Sequence, residues 1–282
     1  MNKKHNKQLL QQAIKLQDTN EAQAIQIYKQ LIAEDPEWSV PYYNLGLLYK
    51  YRGDWIKSLK YNELATKFDP SDQPAWWNMG IAATALQRWR DARTAWKGFG
   101  IPIEIDDEQI NINIGHTPIR LKHGEVIWAK RICPARAQLD NIPTDKGDYR
   151  YKDVILHDGA PNGIRNHNGH EFPVFDELQL LQKSDYKTYA IGAKAFAKDS
   201  IDQLSKLCDD ADCGFENWTE TLRMVCQKCS QGIPHEHHEH VVPKWEEVET
   251  YQLAIATQAR GTLDEIVGKW VNKTGSEVLW VK

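Results

Sequence analysis

The chain has 282 residues, 41% of them hydrophobic, with 35 basic and 39 acidic side chains and a formal net charge of −4. That length supports two or three domains with cores of their own, and the apolar content argues against wholesale disorder. The near-balanced charge sets up no global field for nucleic acid or an anionic surface, and no apolar run approaches the roughly 18 to 20 residues of a membrane span.

The N-terminal stretch MNKKHNKQLLQQAIKLQDTNEAQ starts basic but carries no apolar core and no cleavage signal, so a cytoplasmic protein is expected. The first organised feature is a repeat. Residues 42–70, YYNLGLLYKYRGDWIKSLKYNELATKFDP, align without gaps on residues 76–100, WWNMGIAATALQRWRDARTAWKGFG, at an offset of 34. Tyr42 falls on Trp76, Asn44 on Asn78, Gly46 on Gly80, Trp55 on Trp89 and Ser58 on Ala92. A weaker copy lies 34 residues earlier, carried by Ala24, Tyr28 and Glu34-Asp35-Pro36. A fixed period of this length predicts stacked helix pairs, each with an apolar stripe that only its neighbours can bury.

The aromatic, the Leu-Gly of Leu45-Gly46, the tyrosines and the closing Asp69-Pro70 resemble the tetratricopeptide repeat family. The resemblance covers residues 1–100, with two clear repeats and one degenerate capping repeat. It implies protein binding rather than a reaction, through a groove lined by first-helix positions. Those positions would be Tyr43, Leu47, Lys50, Tyr51, Trp77 and Ile81, with Thr84 beyond them. The set lacks the Lys/Asn/Arg clamp with which some relatives hold a C-terminal carboxylate. Either a partner segment or the rest of this chain would fill the groove.

Beyond residue 100 the pattern shifts toward period 2. IEIDDEQININI, GEVIWAKRI, YKDVILHDG and EFPVFDELQLL read as short strands, with DGAPNG and NHNGHE as turns, so residues 101–183 are expected to form a β-rich, small barrel-like domain. Residues 184–282 read as strand, helix, strand, insertion, strand, helix, strand. Asp199 or Ser200 and Thr262 are candidate helix N-caps, and Gly275 a helix end. This order resembles a ferredoxin-like α+β domain with an insertion at 226–240 between its central strands.

The insertion, CQKCSQGIPHEHHEH, carries the densest chemistry. Cys226 and Cys229 have the spacing that delivers two thiolates to one zinc ion, and His235 with His240 would complete a tetrahedron, with His237 or His238 as substitutes. Two thiolates and two histidines fill the shell, which argues for a structural zinc over a catalytic one. The His-Glu-x-x-His helix motif fails in both registers, meeting Glu239 and Val242 where histidine is required, and Pro234 and Pro243 bracket the run. Of the other cysteines, Cys208 and Cys213 read as core residues at a helix end and Cys133 as a small buried hydrophobe.

The expected class is therefore α+β: an N-terminal helical repeat array, a β-rich middle and a ferredoxin-like end. The whole chain resembles poorly characterised bacterial proteins that join such an array to a Cys/His insertion. The function expected is non-enzymatic binding of another protein, as an adaptor or an inhibitor, a toxin-neutralising immunity protein being one form. Two alternatives stay open: a metal-dependent hydrolase using the Cys/His cluster with Glu236 or Glu239 as base, and a nucleic-acid-associated factor using the middle domain. The thin basic content of that domain disfavours the latter, and no membrane partner is expected.

Overall fold

The computed structural model describes residues 3–167, 169–195, 197, 199–219 and 248–282; the Cys/His insertion lies outside them. Among the described residues are eight helices and two sheets, with helices first and strands after, a mixed α+β chain. None of these helices is long and apolar enough to cross a membrane. The chain divides into two compact units, Met1–Ile112 with Cys133–Ala135, and Asn113–Ile132 with Arg136–Lys282.

Six helices build the first unit: α1 (Lys3–Leu16), α2 (Glu21–Glu34), α3 (Ser39–Tyr51), α4 (Trp55–Phe68), α5 (Gln73–Ala85) and α6 (Trp89–Phe99). The sequence period is realised in their boundaries, since α2, α4 and α6 begin at Glu21, Trp55 and Trp89, 34 residues apart. Start signals are local. The side chains of Asn20, Asp54 and Asp72 accept from the backbone N–H groups of Gln23, Lys57 and Ala75, which satisfies donors that a helix start leaves open.

The tertiary contacts repeat at the same interval. A Cβ added to Gly46 would lie 2.5 Å from the Asn62 amide, and one added to Gly80 would lie 2.5 Å from the Trp96 indole. Both glycines thus let one helix of a pair ride directly on a side chain of the other. The Tyr42 hydroxyl donates to the Pro36 carbonyl at 2.9 Å, and the Trp76 indole N–H donates to the Pro70 carbonyl at 2.9 Å. These two bonds tie the start of α3 and of α5 to the preceding turn.

Residues 101–114, where the first strand was expected, carry none. The acidic alternation IEIDDE is instead held by arginines of α6. Arg90 grips the Asp107 carboxylate with two bonds of 2.9 and 2.6 Å, and Arg93 donates to the Glu104 and Glu108 carbonyls. Carbonyls engaged this way are lost to a strand ladder, and two bidentate-capable guanidiniums outweigh a weak period-2 pattern.

The second unit holds both sheets, apart from Cys133 at the end of one strand. In the first, β1 (Gly115–Arg120), β2 (Val126–Cys133), β3 (Arg136–Leu139), β4 (Val154–His167) and β5 (His170–Gln182) follow one another in order. β1 also pairs with β5 in parallel, Ile119 opposite Phe175, and this closes the sheet on itself. An up-and-down run with an odd number of strands has to close this way, because its first and last strands point in the same direction. Ile119, Leu121, Ile127, Ala129, Ala137, Leu139 and Ile155 form its buried cluster. DGAPNG, expected as a turn, lies inside β4, which absorbs it through register shifts on both sides of Pro161. A bulged strand accommodates extra residues without ending.

The second sheet has four antiparallel strands in the order β7-β8-β6-β9, with β6 (Lys187–Lys194), β7 (Gly214–Asn217), β8 (Tyr251–Thr257) and β9 (Glu277–Val281). Helices α7 (Ser200–Asp210) and α8 (Arg260–Thr274) connect β6 to β7 and β8 to β9. Their apolar faces join Ile191, Leu253 and Ile255 in a core that includes Leu204, Ile266 and the fully buried Trp270. The Trp270 indole N–H finds the Ser200 carbonyl at 2.7 Å, so the large ring is buried with its one donor satisfied. α8 starts at Arg260 with Ala259 as its cap, three residues before the expected cap Thr262, while Gly275 ends it at φ 71° as expected.

Candidate functional site

The candidate metal ligands Cys226, Cys229, His235 and His240, and the substitutes His237 and His238, all lie outside the described residues. Among the described residues no group of three or more His, Cys, Asp or Glu side chains is arranged to hold a metal ion. Cys133, Cys208 and Cys213 are free and buried.

The candidate partner-binding residues of α3 and α5 have unequal access. Lys50, Ile81 and Thr84 are buried, and Tyr43, Leu47 and Trp77 are half-buried. Trp77 packs edge-on against Trp96 and Phe99, with ring centroids 5.1 and 4.7 Å away. Tyr51 alone stands open, 63% exposed, with the Lys50 ammonium 4.4 Å from its ring centroid. Just across the turn, at the start of α4, Ile56 is 72% exposed. These two are the most exposed large apolar side chains among the described residues. Basic groups stand around them. Lys57 lies 5.0 Å from the Tyr49 ring and is paired with Asp54, and Arg52 pairs with Glu21. Tyr49 in turn stacks on Tyr61, centroids 5.6 Å apart and planes within 6°. A corner of this kind offers an apolar contact and cation-backed aromatic faces, the chemistry of a protein-contact anchor.

The closed sheet gathers polar groups that sequence reasoning did not single out. Tyr149 donates to Glu177 Oε2 at 2.5 Å, and the Lys122 N–H donates to the same oxygen at 3.1 Å. Burial, and then this carboxylate, push the Tyr149 phenol well above its usual range. The His123 ring lies 5.5 Å from Tyr149 and shares its Nε2 with Glu125 at 2.9 Å, while Thr144 donates its hydroxyl to Glu125. Gly147 packs against both rings, where a Cβ would stand 2.6 Å from the imidazole Nδ1 and 2.9 Å from the Tyr149 ring.

His157 is fully buried, and its Nδ1–H donates to the Asp158 carbonyl at 2.8 Å. Its ring lies 5.6 Å from Phe175, over which the Arg131 guanidinium stands at 5.7 Å. Burial lowers the imidazole pKa to about 4, with Arg131 contributing, so the group is neutral at physiological pH. Glu177 Oε1, His123 Nδ1 and His157 Nε2 are buried with no hydrogen-bond partner among the described residues. A neutral, solvent-excluded imidazole in this setting is a poor general base, and the network's evident work is to hold strands and loop together.

On the surface, Asp140 bridges Lys152 at 2.6 Å and His116 at 3.0 Å. Burial raises its carboxyl pKa, but these two partners outweigh that and hold it below the ordinary range.

No protein-family profile matches the chain, and no curated protein is similar enough to it to mark a relationship.

Proposed function

We propose that this chain is a non-enzymatic protein-binding protein, an adaptor or inhibitor, whose N-terminal helices are a tetratricopeptide-like array. The observation that carries this reading is the α3–α4 corner, where Tyr51 and Ile56 stand 63% and 72% exposed beside Lys50, Arg52 and Lys57. A folded chain that leaves its most apolar exposed pair at the turn of a repeat has a surface suited to a partner's side chains. The burial of Lys50 and Ile81 restricts the contact to the Tyr51 end of the expected set.

In the same reading the closed sheet is a small barrel, the four-stranded sheet is ferredoxin-like, and a structural zinc on Cys226, Cys229, His235 and His240 staples the insertion. The ligand spacing supports the zinc, as four filled positions leave it no open site for a substrate. A cytoplasmic, toxin-neutralising inhibitor is one form such a binder takes.

The test is capture of partners from a cell lysate by the full chain, beside Tyr51→Ala/Ile56→Ser. The reading expects a stoichiometric partner that the double variant loses without a change in melting temperature. A partner retained by the variant at full strength would move the contact elsewhere and remove the observation on which the reading stands. Metal analysis of the same samples should find zinc in the wild type and none in Cys226→Ser/Cys229→Ser.

A further inference from the structure

The sequence CDDADC, residues 208–213, closes the C-terminus of α7. Asp212 takes the left-handed conformation at φ 52°, its N–H donates to the Asp209 carbonyl at 3.1 Å, and the Cys213 N–H donates to the Cys208 carbonyl at 2.8 Å. This nested pair of bonds is the Schellman motif, in which the residues at the two ends commonly touch through apolar side chains. Here both end residues are cysteine. Cys208 is fully buried and Cys213 nearly so, and both belong to the core shared by Leu204, Leu263 and Trp270.

The backbone bond also limits their separation. Standard bond lengths around a 2.8 Å hydrogen bond cannot place the two Cα atoms more than roughly 6.7 Å apart, inside the span of about 4.4–6.8 Å that a disulfide bridges. Burial first, and then Cys213, push the Cys208 thiol above its ordinary range. The four residues between them are exposed, so the turn itself is open to water.

We propose that Cys208 and Cys213 are a modification site that a neutral peroxide converts to an intrachain disulfide. Cys213, the less buried thiol, is attacked first: its sulfur takes one oxygen of hydrogen peroxide, becoming a sulfenic acid as the other oxygen leaves as water. The Cys208 sulfur then displaces that hydroxyl, the S–S bond forms, and the Cys208 proton leaves with the hydroxyl as a second water. A reducing dithiol returns both thiols. Asp209, Asp210 and Asp212 surround the approach with negative charge, which favours an uncharged peroxide over the anionic disulfide of glutathione.

The experiment treats the full-length protein with hydrogen peroxide or with glutathione disulfide, blocks remaining thiols by alkylation, and cleaves on the N-terminal side of aspartate. Cleavage at Asp209, Asp210 and Asp212 separates the two cysteines, so their peptides stay together only through a disulfide. Peroxide is expected to yield that linked pair, dithiothreitol to release it, and glutathione disulfide to yield at least tenfold less in the same time. Recovery of both cysteines as separately alkylated peptides, or linkage of Cys208 to Cys133, Cys226 or Cys229 instead, overturns the proposal. The wild-type map decides the question by itself; Cys213→Ser, in which Cys208 should lose its partner peptide, serves as the control.

Discussion

In the helical array the defining contacts come in neutral copies. Gly46 sits on Asn62 and Gly80 on Trp96, and Tyr42 reaches Pro36 as Trp76 reaches Pro70. In the closed sheet the defining contacts are single and ionisable: Tyr149 on Glu177, His123 on Glu125, and His157 beside Phe175 and Arg131. A stack of repeats can reuse one solution because each helix pair meets the same kind of neighbour. A closed sheet has one interior and two different ends, so each polar group there needs its own partner. The repeated contacts of the array should therefore respond to steric change, whereas those of the closed sheet should respond to protons as well.

The largest effect is expected from Trp96→Ala. That ring is fully buried, packs on Gly80 and meets Trp77 edge-on, so its loss should destabilise the array by about 3–5 kcal/mol in urea unfolding followed by helical circular dichroism. A change under 1 kcal/mol would mean that the Gly80–Trp96 approach is not a principal contact.

The next concerns His157. Its folded pKa of about 4 lies below the ordinary value of 6.5, so the unfolded chain takes up the proton first as pH falls. The stability it contributes is fully present above pH 6.5, declines between 6.5 and about 4, and is lost below that, a change on the order of 3 kcal/mol. His157→Phe, similar in volume and without the proton site, should flatten this part of the stability–pH curve relative to wild type. Superimposable curves would show that His157 does not account for the acid limb.

The smallest prediction tests the array's local signals. Asp54 caps α4 through the Lys57 N–H and pairs with the Lys57 ammonium, and Asp54→Ala should cost about 1 kcal/mol. Gly in its place should recover part of that, since glycine is tolerated at a cap. Equal losses in both variants would assign the effect to the ion pair instead.

Legibility follows the same division. The six helices, the close approaches at Gly46 and Gly80 and the strand–helix alternation of the C-terminal sheet were readable, because each rests on spacing along a short stretch. Within the candidate binding face the reading was partial. The family resemblance named the six residues, but Tyr51 is open while Ile81, the repeat counterpart of the half-buried Leu47, is closed. Periodicity names a face without saying how much of it neighbours will cover.

Where the sequence misled, a distant residue intervened. IEIDDEQININI alternates as a strand does, yet Arg90 and Arg93 of α6 engage its acidic groups and carbonyls. DGAPNG is turn chemistry, yet pairing with β5 carries β4 through it. By itself the sequence determined the repeat, its helices, the helix end at Gly275 and the alternation that builds the second sheet, since those depend on residues within a few turns of one another. Only the tertiary structure decided which alternating segment became a strand, which tyrosine stayed exposed and which histidine was shut away from protons. Those outcomes depend on side chains brought together from far apart in the chain, where burial and a single well-placed partner outweigh any local preference.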